Sequence, residues 1–222
     1  VPSQQLGAAV DGQIVMVELT QQPSRTSGPV GRVARILGDH GAPGMETEIA
    51  IHSHSLPCEF PAAVAAEADG FGTRIPQDAI AGREDLRHLE LVTIDGEDAR
   101  DFDDAVWCER RSGGWRVIVA IADVAHYVRP GNPLDVEARE RGTSVYFPNR
   151  VLPMLPEALS NGLCSLKPDE DRLCLCCELR VGEDGRITRS RFFEGVMRSV
   201  ARLTYRDVGE FLDKPSAKHA PK

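Results

Sequence analysis

The sequence predicts an α+β chain, a small all-β barrel followed by a mixed domain of strands and helices. Three observations carry this. Short apolar runs broken by Gly/Pro turns fill roughly the first 75 residues. Beyond residue 89, longer strands alternate with helices that carry recognisable caps. The 222 residues, 41% hydrophobic and 27% charged, suffice for one large core or two small ones.

In chain order, "GQIVMVELT" reads as a strand ended by the breaker-rich "QQPSRTSGPVG", and "GRVARILG" as a second strand. "METEIAIHSHSL" alternates apolar and polar residues, as a third strand would. That places the imidazoles of His52 and His54 on one strand face. A metal site there lacks an evident third ligand, and solvent-facing histidines are the preferred reading. "FPAAVAAEADGFGTRIPQDAIAGREDL" is a short helix and a Pro/Gly-punctuated linker, with a second domain opening near Arg83. "LELVTID" is an apolar strand. "DAVWCER", "RSGG" and "WRVIVAIADVAHYV" form a hairpin turning at Gly113 and Gly114. "NPLDVEARERG" is a helix with Asn132 as N-cap, Pro133 at N1 and Gly142 as its stop. "RLCLCCELRV", "GEDG" and "RITRSRFFEGVMRSVARL" form another hairpin. Thr204 caps a last helix in "TYRDVGEFL", and residues 214–222 read as a frayed polar tail. The expected division is 1–75 barrel, 76–88 linker, 89–213 mixed domain and 214–222 tail. No period of repeats points to a solenoid.

No apolar run is long enough for a transmembrane helix, and the N-terminus lacks the basic and apolar regions of a signal peptide, so a cytoplasmic, non-membrane protein is expected. The first residue is not Met, which suggests a start inside a longer product. None of the 6 cysteines forms a CxxC pair, and Cys174 and Cys176 interleave with leucines, as buried free thiols on a strand in a reducing compartment would. The net charge of −8 argues against a polyanionic partner, but only 4 of the 26 basic residues are lysine, leaving 22 arginines. Arginine forks onto phosphate and stacks on bases. A GC-rich codon bias accounts for the skew equally well, and a local basic groove can coexist with a negative total.

The chemistry concentrates in "TIDGEDARDFDDAV", residues 93–106, with five aspartates and one glutamate. Asp95 ends an apolar strand. Asp101 and Asp103 are two apart, so an extended chain puts both on one face while Phe102 points into packing. Asp104 reaches around at the start of the next strand. Asp95, Asp101, Asp103 and Asp104 can therefore converge, whereas Glu97 and Asp98 sit in the intervening loop. Carboxylates at one spot must share protons or cations. Mg²⁺, with Mn²⁺ as substitute, resolves the repulsion with oxygen ligands and leaves room for substrate phosphates. A solvated acidic loop is the competing reading. An EF-hand starting at Asp98 fails, because Arg100 and Phe102 occupy ligand positions and Asp103 replaces the required glycine.

Together with "VAIADVAHYV", "RGTSVYFPNRVLPMLPEALSNGLCSL" and "ARLTY", this stretch resembles the catalytic (RNB) domain of the ribonuclease II/ribonuclease R family, nearer its bacterial ribonuclease R branch. The likeness runs from about residue 10 to about 213. It implies that the N-terminal strands are a cold-shock, OB-type barrel. It further implies a processive, Mg²⁺-dependent 3′→5′ exoribonuclease that releases nucleoside 5′-monophosphates from single-stranded RNA. Metal and catalytic roles fall on Asp95, Asp101, Asp103 and Asp104, and RNA contacts on Tyr146 and Tyr205, whose rings suit base stacking. A half-buried packing role is the alternative for each tyrosine. Asp123 and His126 belong to the matching motif but receive no chemistry. Arg139 and Arg141 stand open between phosphate contacts and a solvated helix end. Relative to the family pattern the chain stops near the middle of the catalytic domain. An Arg-rich segment for the scissile phosphate and a base-stacking aromatic are expected from a further segment or a second chain. An RNA-binding module without cleavage, inactive alone, is the competing function.

Overall fold

The computed structural model describes residues 1–214, and the tail reading for 215–222 lies outside them. The described residues form two compact units, residues 1–59 with 145–152 and residues 60–144 with 153–214. In order, the elements are β1 (Gln13–Gln21), β2 (Val30–Asp39), α1 (Met45–Ser53), α2 (Ala62–Gly70), α3 (Gln77–Ile80), β3 (Glu84–Asp85), β4 (Val92–Asp95), β5 (Asp104–Arg111), β6 (Gly114–Ala122), α4 (Val124–Tyr127), α5 (Pro133–Arg141), β7 (Val145–Phe147), β8 (Arg150–Leu152), β9 (Asp171–Gly182), β10 (Ile187–Arg198), β11 (Ala201–Thr204) and α6 (Tyr205–Asp213).

In the first unit β1 and β2 pair antiparallel with three register shifts. Such shifts twist and coil a ribbon, as small barrels require. The expected third strand is instead helix α1. Its period-2 alternation was accidental: Met45 and Ile51 are the buried residues. Met, Glu and Ala favour helix, and Glu46 and Glu48 occupy the first turn, where the helix dipole favours acids. His52 falls in the last turn near Glu48, and the His54 backbone closes the helix by donating to the Ala50 carbonyl. The two imidazoles therefore do not share a strand face. Hairpin β7–β8 belongs to this unit, tied to α1 by Arg150–Glu48 at 2.6 Å and Thr47–Asn149 at 3.0 Å.

The second unit is built on a seven-stranded sheet in the order β11-β4-β5-β6-β9-β10-β3, parallel at its two outer pairs and antiparallel within. Only Ser199 and Val200 separate β10 from β11, yet the two lie five steps apart in strand order. A flat sheet would hold them about 24 Å apart, far beyond the reach of so short a link. The sheet must curl until its ends approach. Val200 N donating to the Leu91 carbonyl at 2.9 Å, beside the start of β4, marks the junction.

The inner face follows from period-2 patterning. Ile118, Ala120 and Ala122 on β6 and Cys174 and Cys176 on β9 are buried against α2, α5 and the segment 154–166. Residues 60–82, read as short helix and linker, supply Val64, Ala68 and Ile75 to this core. Gly114 lets β6 and β9 close up, since a Cβ there would strike the Val181 carbonyl. The expected caps are present. Asn132 accepts from Asp135 N at 2.8 Å, and Thr204 and Asp207 form a reciprocal capping box. Strand β6 ends earlier than read: Asp123 turns the chain and caps the short α4 by accepting from His126 N. All 6 cysteines are free, with Cys164, Cys174 and Cys176 buried. No helix of the described residues is long and apolar enough to cross a membrane.

Candidate active site

Strands β4 and β5 pair at Val92 with Val106 and then splay apart. Continuing that register sets Asp95 opposite Asp103, with residues 96–102 looping between them. The loop is pinned from below. Phe102, 8% exposed, sits in the core. Its N–H is donated to the Ser165 hydroxyl at 3.1 Å, its carbonyl accepts from Leu166 N at 2.8 Å, and the Ser165 hydroxyl donates to the Arg100 carbonyl at 3.0 Å. Ala122 N donates to the Asp103 carbonyl at 2.9 Å. Ser165 is held in turn by buried Arg172, whose guanidinium donates to the Ser165 carbonyl at 2.8 Å. With the backbone so fixed, the carboxylates cannot relax apart.

Electrostatics follows this crowding. Asp103 is open to solvent by surface area yet flanked by enough protein that desolvation is the first cause of its raised pKa, followed by the charges of Asp101, Asp104 and Asp95. Asp95 is also raised, by burial first. The nearby Thr93 hydroxyl and Arg202 pull it down, while Asp104 and Asp101 push it up. The Thr93 contact falls short of good hydrogen-bond geometry: Thr93 Oγ1 and Asp95 Oδ2 are both buried without a partner. Asp101 and Asp104 thus act on both Asp95 and Asp103, and Asp98 is not among the causes that raise either. Glu97 faces Arg206 in an ion pair.

Two contributors escaped the sequence reading. Arg202 on β11 donates to the Gly96 and Glu97 carbonyls at 2.6 and 2.5 Å and lies 5.4 Å over the Phe102 ring. It fastens the acidic loop and brings a cation to the site from within this chain, where the expected Arg-rich segment lay elsewhere. Ser165 gave a single signal, a serine inside the apolar run "GLCSL". Nothing local marks Arg202, because only sheet topology sets β11 beside β4.

Tyr205 follows Thr204, the register partner of Asp95, so the fold brings its backbone to the acidic end; its side chain is 68% exposed. Tyr146 lies in β7 of the other unit, 65% exposed. Arg141 is no phosphate contact: its side chain is 3% exposed, paired with Glu137 at 2.8 Å and stacked on Phe60. Arg139 pairs with Asp135 at 3.0 Å. Asp123 accepts from Arg83 at 2.6 Å, and burial followed by the Arg83 charge lowers the pKa of His126.

Among the described residues, no three His, Cys, Asp or Glu side chains form a ready-made metal cage. The acidic end nevertheless fits a hard cation. It offers oxygen donors only, a buried Asp95 oxygen with no hydrogen-bond partner, and like charges that a divalent ion would neutralise.

Comparison with known proteins adds independent findings. The RNB domain family matches residues 83–222, and the cold shock domain family matches residues 1–61. Ribonuclease R of Escherichia coli (strain K12) is 56% identical over 213 residues, covering 96% of this chain and 26% of that protein. Ribonuclease R of Vibrio parahaemolyticus is 53% identical over 214 residues, with the same shares. This chain therefore spans about a quarter of the length of these relatives. Mycoplasma genitalium RNase R, solved in complex with double-stranded RNA, superposes with a TM-score of 0.89 at 28% identity, covering 97% of this chain and 38% of that one. The α+β class holds, with a cold-shock, OB-type N-terminal region before the RNB domain.

Proposed function

The chain belongs to the RNB domain family, and on that premise we propose that its acidic strand end serves a 3′→5′ exoribonuclease acting on single-stranded RNA. One observation carries the reading. Burial and the charges of Asp101 and Asp104 push Asp95 and Asp103 above the ordinary carboxylate range, on a loop anchored at Phe102 and Ser165. Such strain is retained where a cation and a phosphate complete the charge balance.

The four aspartates would hold Mg²⁺ or Mn²⁺. When bound, the metal supplies charge neutralisation at phosphorus and an activated water. The protein's own part is positional. Phe102 and Ser165 fix the loop backbone, Arg202 offsets part of the negative charge, and Tyr205 offers an exposed ring on which a terminal base can stack. Tyr146, exposed on β7 within the RNB match, is proposed as a further RNA contact. Hydrolysis by water yields nucleoside 5′-monophosphates, processively if the strand stays threaded. The free cysteines suit a reducing cytoplasm.

The test is Mg²⁺-dependent trimming of labelled single-stranded RNA. Asp103→Asn should lower the rate about a hundredfold or more, since even outer partners of metal ligands cost 10–100-fold. Full activity in that variant, or activity in excess EDTA, defeats the assignment. The competing outcome is RNA binding without cleavage. It predicts binding in EDTA that Mg²⁺ never converts to trimming.

A further inference from the structure

The sheet that carries the acids at one end, on β4 and β5, carries arginines at the other, on β6, β9 and β10. On β6 and β9 the alternation that buries Ile118 and Cys176 continues, on the same face, to Arg116, Glu178 and Arg180, where the helices no longer cover the sheet. On β10, Arg189 and Arg191 join that face opposite Arg180 and Glu178. Together with Ser190 these side chains line a cleft of about 390 Å³. It lies five residues along β5 from Asp104, about 17 Å at strand spacing, so it is separate from the acidic site.

The charges in this cleft are not balanced. Glu178 accepts from Arg116 at 3.0 and 3.1 Å and from Arg191 at 2.9 Å, and it stands 3.8 Å from Arg180. Arg191 also pairs with Glu84 at 2.6 Å. Arg189 has no ion pair among the described residues. In register, Arg116 stands opposite Arg180 and Arg180 opposite Arg189, so three arginines occupy one row across three strands, with Glu109 of β5 opposite Arg116 at its end. Like charges directly opposite destabilise a sheet; Glu178 binds Arg116 and lies 3.8 Å from Arg180, which leaves Arg189 the least compensated of the row. Arg116 and Arg191 are also held against the Trp107 and Phe193 rings, at 5.5 and 4.3 Å, which orders their planar forks.

We propose that this arginine row binds the phosphodiester backbone of RNA at a second place, remote from the acids. The inference rests on RNA being the substrate. Guanidinium planes favour bidentate phosphate contacts, and the row repeats at strand spacing, which suits a chain of phosphates better than one isolated anion.

The experiment is fluorescence anisotropy of a labelled single-stranded oligoadenylate, in EDTA, over a salt series. Arg180→Ala/Arg189→Ala should weaken binding about tenfold and flatten the log K against log salt slope by about 1, because each phosphate contact releases counterions. Arg189→Lys should keep most of the affinity. Melting curves check the fold, and the single Arg189→Ala on an exposed position serves if the double variant is unstable. Wild-type affinity and slope in the variants overturn the proposal. So does a wild-type protein that binds no RNA, or displacement of the RNA by polyglutamate as effectively as by polyphosphate, which would mark a surface for acidic protein. If the variants lose binding while the wild type trims nothing in Mg²⁺, the row stands and the nuclease reading fails. Normal trimming with unchanged binding gives the reverse.

Discussion

The two ends of the same sheet handle charge in opposite ways. At the Asp104 end of β5 the aspartates raise one another's burden of charge, the backbone is locked through Phe102 and Ser165, and Arg202 lies close enough to lower Asp95. At the Arg116 end of β6 a half-buried glutamate, Glu178, draws several arginines around itself. Its carboxyl is held down to about 2, first by hydrogen bonds from Arg116 against the cost of burial. Burial raises Asp95 and Asp103 and partners lower Glu178, although all are carboxylates of one sheet and its loop. Sheet position does not decide a carboxylate's fate; what the fold sets beside it does. The acidic end is built to receive something positive, whereas the arginine end already contains part of its own neutralisation.

Removing the anchor should break this contrast most severely. Phe102→Ala empties a buried ring site and should cost about 3–5 kcal/mol of stability by denaturant unfolding, with loss of any metal response. A stability loss below about 1 kcal/mol would show that the loop is held by other means. Next in size is the response to metal. Mg²⁺ at about a hundred times its dissociation constant should stabilise the wild type by about 2.7 kcal/mol, read as a higher melting temperature, and should do far less for Asp103→Asn. Equal shifts in both proteins would place the ion elsewhere. The smallest effect belongs to the opposite end. Glu178 has a depressed folded pKa, so its stabilisation is complete above about 4.5 and is lost as pH falls toward about 2. Against Glu178→Gln the wild type should be more stable at neutral pH by about 1–2 kcal/mol, a figure reduced for the solvent screening of Arg191. The two melting curves should converge across that window. Parallel curves would mean that the glutamate does not organise the cluster.

Local chemistry was legible in the sequence wherever neighbours along the chain do the work. The Asn132 and Thr204 caps, the Gly113–Gly114 turn, the β9–β10 hairpin and the inward Phe102 depend on residues a few positions apart. Helix α1 misled because two isoleucines at period 2 imitate a strand when the helix also buries few side chains. Arg141 misled because a guanidinium at a helix end looks solvated until Phe60 and Glu137 enclose it.

By itself, then, the sequence determined the spacing of the aspartates, the apolar alternation of the strands and the arginine-rich character of the chain. Those properties are covalent and short-range. Only the tertiary structure decided that β11 runs beside β4 with Arg202 on the acidic loop, that Ser165 reaches Phe102 across 63 residues, and that three arginines on separate strands fall into one row. Those contacts exist because a curled sheet brings distant strands into register, and register is set by packing across the sheet rather than by any local run of residues.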